Sequence, residues 1–166
     1  MRDVLAHLVQ NAERTYASLT LDLLRGGFGP DRSMRMAALR LGHVPVPELA
    51  DRLSASADRH FHLVGSTEGM GLADVLVHSA DVLRPLGQDV EAPPADAGPA
   101  LDALWRAGRM VVHAVPHEGR RLVATDLEWS RGSGPEVRGR ALDLLMLVAN
   151  RRQVLPELDG PGLAGI

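Results

Sequence analysis

The 166-residue chain is 45% hydrophobic and 23% charged, the composition of one globular domain or of one domain with a small appendage. Its formal net charge of −3 supplies no basic field for nucleic acid, and no apolar run is long enough to span a bilayer. The chain has no cysteine, and all 18 of its basic residues are arginine. That excludes disulfides, thiolate metal sites, a cysteine nucleophile, a Schiff-base lysine and a phosphate-loop lysine.

Residues 2–25 read as a helix with Val4, Leu5, Leu8, Val9, Leu19, Leu21, Leu23 and Leu24 on its apolar faces, ended by Gly26-Gly27 and Pro30. Asp31 is an N-cap for a short helix over 32–42. Pro45 and Pro47 open a helix over about 47–61, with Leu49, Leu53, Ala57 and Phe61 as its core stripe. A helix over 70–86 stops before Gly87. Residues 88–99, rich in Pro and Gly, read as a linker before a helix over about 100–114. Arg121–Trp129 is strand-like, Arg131–Pro135 is a turn and Glu136–Arg138 is a return strand, which together predict a two-stranded antiparallel hairpin. An apolar helix over 139–151 and a loop tail complete the chain. The predicted fold is mainly α, a helical bundle over 1–115 with a C-terminal hairpin and helix over 116–166 packed on it.

The segment 70–86 carries the chemistry. Asp74, His78 and Asp81 recur at i, i+4 and i+7, so on a helix they form one polar stripe. The surrounding residues are apolar or small, which argues for a buried helix. A buried Asp/His stripe needs partners, and a metal ion is one. In a bundle, His7 from the first helix can meet the Asp74/His78 pair, and three protein ligands with one open position is the pattern of catalytic zinc. The bland alternatives are a capping or surface role for His7 and a local side-chain contact between Asp74 and His78. His43 sits in a loop, and His60 and His62 point to different sides of a helix end. His113 and His117 read as solvated helix-end residues. Gly132-Ser133-Gly134 precedes no helix and is not a phosphate cradle. The Arg151-Arg152 pair can bind an anion, although a helix-end arginine commonly serves the dipole alone.

Three segments in order carry a resemblance: Asp3-Val-Leu-Ala-His-Leu8; Leu72–His78 with Asp81 and Arg84-Pro-Leu-Gly87; and Ala124–Trp129 with Gly134–Gly139. The chain resembles the actinobacterial mycothiol-dependent maleylpyruvate isomerase-like proteins of the DinB/YfiT metalloenzyme superfamily. The resemblance implies a DinB-like bundle in which His7, Asp74 and His78 hold a divalent metal, usually zinc. Many members have Glu where this chain has Asp74. It also implies an arginine that holds an anionic substrate, with Arg151 the nearest match and Arg84 a second choice, and Asp81 orienting His78 or holding a water. Relatives carry a helix and a Gly-Trp turn ahead of the segment that here begins at Met1. The expectation is either a start codon upstream of Met1 or a bundle short of its first helix. Its apolar groove would be covered by a second chain in a homodimer or, intramolecularly, by helix 32–42 with Met34, Met36, Ala37 and Leu39.

The function implied is a cytoplasmic metalloenzyme. Zinc would activate the thiol of mycothiol, or of another small thiol, for addition to an electrophilic small molecule, as an isomerase or thiol transferase. The alternative is a non-catalytic binding or assembly module that keeps the fold.

Overall fold

The computed structural model describes residues 2–13, 15–25, 41–57, 68–108 and 117–166, and within them the protein is mainly helical. The helix expected over 32–42, apart from its last two residues, and His60, His62 and His113 lie outside the described residues. The chain divides into two compact units, Met1–Gly65 and Ser66–Ile166.

In the first unit, the segment read as one helix over 2–25 is two: α1 (Arg2–Ala12) and α2 (Tyr16–Arg25). Thr15 and Ser18 explain the restart. Thr15 N–H donates to Ser18 Oγ and Ser18 N–H donates to Thr15 Oγ1, a reciprocal cap that satisfies two donors at the start of α2. Helix α3 (Val46–Ala55) opens on Pro45 and Pro47, whose fixed φ and missing N–H suit a first turn. It packs on α1 through Ala6, Val9 and Leu49, flanked by Leu5, Leu41, Val44 and Leu53. Arg52 of α3 grips the Glu13 carboxylate with both its Nε and Nη2.

The second unit holds the larger core. Helix α4 (Glu68–Leu83) runs into a 3-10 turn at Arg84–Leu86 and stops at Gly87, which takes the left-handed conformation at φ 74°. Helix α5 begins at Pro94 and ends at Ala107, so the segment read as a linker over 88–99 is half helix. Pro94 suits the first turn, where its missing N–H loses no bond, whereas Pro99 lies inside the helix, and packing of α5 on α4 holds that segment helical. Helices α4 and α5 approach closely because Gly69 faces Pro99: a Cβ at Gly69 would stand 2.3 Å from the Pro99 carbonyl oxygen.

The predicted two-stranded antiparallel hairpin is a three-stranded mixed sheet. Strands β1 (Arg121–Ala124), β2 (Ser130–Gly132) and β3 (Glu136–Gly139) lie in the order β2-β1-β3. Strand β2 pairs antiparallel with β1, whereas β3 runs parallel to it, Leu122 opposite Val137. Residues 125–128 are a bend instead of strand, and Asp126 in that bend accepts the N–H of Ala141 at 2.8 Å. That bond satisfies one of the open donors at the start of α6 (Ala141–Val148). The tail is not loop alone. It forms 3-10 turns at Arg152–Glu157 and Pro161–Leu163, and Asp159 bridges to Arg138.

Every residue of α6 is buried, including Asp143. A buried carboxylate on an otherwise apolar helix must be paired. Arg84 Nη2 donates to Asp143 Oδ1 at 2.6 Å, and Arg140 Nε donates to Oδ2 at 3.1 Å. Asp89 closes the circuit, 2.6 Å from Arg140 Nη1 and 3.5 Å from Arg84 Nε. The Arg140 hydrogen bond holds the Asp89 carboxyl below the usual carboxylate range, and Asp89 in turn raises Arg140. His117 is buried and not solvated as expected, its ring 4.5 Å from that of Trp105.

Two outcomes follow from these buried groups. Arg84→Met leaves Asp143 with Arg140 alone, and the expected loss is about 3 kcal/mol, read by denaturant unfolding. Burial lowers the pKa of His117, with Glu118 opposing weakly, so the folded protein favours the neutral ring. The stability this gives is fully present above the unfolded histidine value of about 6.5 and is lost as pH falls from there toward the folded value. Melting temperature should therefore decline on acidification below about pH 6.5, and His117→Leu should flatten that slope.

Candidate metal centre

Helix α4 sets Asp74, His78 and Asp81 on one stripe, as the spacing requires. The helix is not buried all round: Val75 is 50% exposed, and the three polar residues are half-buried. Its core side is Ala73, Leu76, Val77 and Ala80, which meet α5 and α6. That packing rotates the polar stripe to the flank of the core, where side chains keep partial access to solvent.

The His78 ring is held between two carboxylates. Nε2 lies 3.5 Å from Asp74 Oδ1, and Nδ1 lies 3.5 Å from Asp81 Oδ2. The ring therefore has two distinct sides. Two ligand atoms that bind one zinc ion at ~2.0–2.2 Å and a tetrahedral angle stand ~3.3–3.5 Å apart. The spacing of Asp74 Oδ1 and His78 Nε2 matches this. His7 lies on α1, and its Nε2 is 3.0 Å from Asn11 Nδ2, one turn on. Asp74 and His78, both on α4 and both partly buried, could hold a metal ion as a pair, and His7, which belongs to the first unit, is partly buried as well. A carboxylate and an imidazole are donors suited to zinc or another first-row divalent metal.

The three other residues picked from the sequence are ion-paired. Asp81 Oδ2 accepts from Arg151 Nε at 3.2 Å and from Arg151 Nη2 at 3.0 Å, and Gln153 Nε2 is 3.4 Å from Oδ1. Arg84 is held by Asp143 and Asp89. Both arginines expected to anchor a substrate anion thus already bind carboxylates of the chain. A cleft of about 470 Å³ opens beside them, with Asp81, Arg84, Asp89, Arg140 and Gln153 among its walls. Sequence reading missed Arg140, Asp143 and Gln153. The Arg140-x-x-Asp143 spacing was a usable signal, because residues three apart on a helix are neighbours.

No family model matches the chain, and neither a curated protein nor a solved structure is significantly similar to it.

His78→Ala removes one of the two candidate ligands that α4 carries, away from the core side of the helix. The expected result is loss of cobalt or zinc binding by at least ~100-fold with unchanged far-UV circular dichroism. Titration with cobalt(II), followed by its visible absorption, measures this directly.

Proposed function

We propose that the protein is a divalent-metal enzyme of the mycothiol-dependent, DinB-like type, acting as a thiol transferase or isomerase on an electrophilic small molecule. The observation that carries this reading is the Asp74–His78 pair on α4, whose ligand atoms stand 3.5 Å apart as two ligands of one zinc ion would, and the resemblance adds His7 as the third ligand. The donor set fits zinc, and three protein ligands leave a coordination position for a substrate or cofactor. A bound zinc ion supplies Lewis acidity, which lowers the pKa of a thiol and delivers it as a nucleophile at neutral pH.

The chain's own residues set the terms of that chemistry. With no cysteine in 166 residues, the thiol must come from a small molecule, and mycothiol is what the resemblance implies. Asp74 is a carboxylate one methylene shorter than Glu, so it would reach less far from α4 toward a bound ion. Asp81 faces the far nitrogen of His78 and keeps the ring turned. Arg84 lines the cleft beside Asp81, and a substrate carboxylate entering there would replace Asp89, the more exposed of its two partners.

The test uses protein purified without a polyhistidine tag. About one zinc or other divalent ion per chain is expected by elemental analysis. Mycothiol consumption with an unsaturated acid or an epoxide should stop on chelation, return with zinc and be absent in His7→Ala. Normal folding with no bound metal would overturn the enzyme reading and leave a non-catalytic binding module.

A further inference from the structure

We infer that Arg151 is a positioning residue for the metal centre, acting through Asp81 on His78. This rests on the metal reading above and assigns Arg151 a role other than anchoring substrate.

The placement of Arg151 is determined by the end of α6. Asn150 is the only non-glycine described residue with positive φ, at 61°. Asn150 N–H donates to Leu147 O at 2.9 Å, and Arg151 N–H donates to Met146 O at 2.8 Å. This is the paired bond pattern of a Schellman turn, with asparagine in the left-handed position. The turn stops the helix and turns the chain so that the Arg151 side chain comes back over it. Nη1 donates to Ala149 O at 2.9 Å, which adds a cap to the helix end. Nε and Nη2 both donate to Asp81 Oδ2, the same oxygen that stands 3.5 Å from His78 Nδ1. Every atom in this chain of contacts belongs to the second unit.

Asp81 and Asp74 stand equally far, 3.5 Å, from the two ring nitrogens of His78, so the balance between the two tautomers depends on keeping the Asp81 carboxylate at Nδ1. Asp81 on a helix flank could rotate away. Arg151 prevents this with a forked contact, and α6, buried at every position, is the rigid support behind it.

The experiment compares wild type with Arg151→Met, Arg151→Lys and Asp81→Asn. Asp81→Asn is near-isosteric and guards against a variant that simply fails to fold. In metal-free protein at about pH 8, above the ordinary histidine range, long-range proton–nitrogen NMR reads the His78 tautomer. The tautomer ratio should move toward the Nε2–H form in Arg151→Met, because Asp74 then remains as the held acceptor. Competition with a chromophoric chelator should give a zinc affinity about 10–100-fold weaker in Arg151→Met. Arg151→Lys should recover part of the loss, because lysine keeps the charge but not the fork. The double variant should be no weaker than Asp81→Asn alone, as expected for two residues acting along one path. An unchanged tautomer and unchanged zinc affinity, whatever the melting temperature does, would overturn the inference. Absence of zinc binding in wild type would overturn the metal reading, and the tautomer comparison would then decide the positioning role by itself.

Discussion

The buried carboxylate of Asp143 constrains the second unit more than any other group. Helix α6 has no solvated face, so its single charge must be neutralised from within. The two arginines that do so come from opposite directions. Arg140 precedes α6, and Arg84 leaves the end of α4. Asp89 joins both and ties down the segment that leads into α5. The four charges sum to zero, which suits the buried Asp143 carboxylate, while Asp89 and Arg140 at the other side of the circuit are about half exposed.

This circuit fixes the C-terminal end of α4 against α6, and so decides which face of α4 is buried. Ala73, Leu76, Val77 and Ala80 go to the core, and the stripe of Asp74, His78 and Asp81 is carried to its edge. The two arginine contacts then act on different parts of α4. Arg84–Asp143 holds the helix as a body, while Arg151–Asp81 holds one side chain on it. Positioning of a metal ligand commonly needs both levels, since imidazole direction matters as much as helix placement.

The sheet and tail serve the same helix. Asp126 caps its start, and the Schellman turn at Asn150 closes its end. Leu122, Val137 and Leu158 cover it from the sheet side, and Trp129 packs into the same core with its indole N–H donated to Asp102 of α5 at 3.0 Å. A three-stranded sheet this small is marginal alone, and packing on α6 supplies the apolar burial it lacks.

Much of the local structure was legible in the sequence by itself. The periodicity of 70–86 located α4 and its Asp74–His78–Asp81 stripe, because helical spacing depends only on residue order. Proline and glycine punctuation located α3, the end of α4 and the turn before β3. The absence of cysteine and lysine bounded the chemistry without any structure. The tertiary structure decided the rest. Pro94 and Pro99 read as linker signals, but long-range packing against α4 makes the segment helical. The parallel pairing of β3 with β1 depends on register across eleven intervening residues, which alternation cannot specify. Arg84 and Arg151 look like ligand-binding arginines in one dimension. They are ion-paired because carboxylates 59 and 70 residues away in sequence are brought to them by the fold. Pattern reports which side a residue faces along its own element, and only packing reports which charge it meets there.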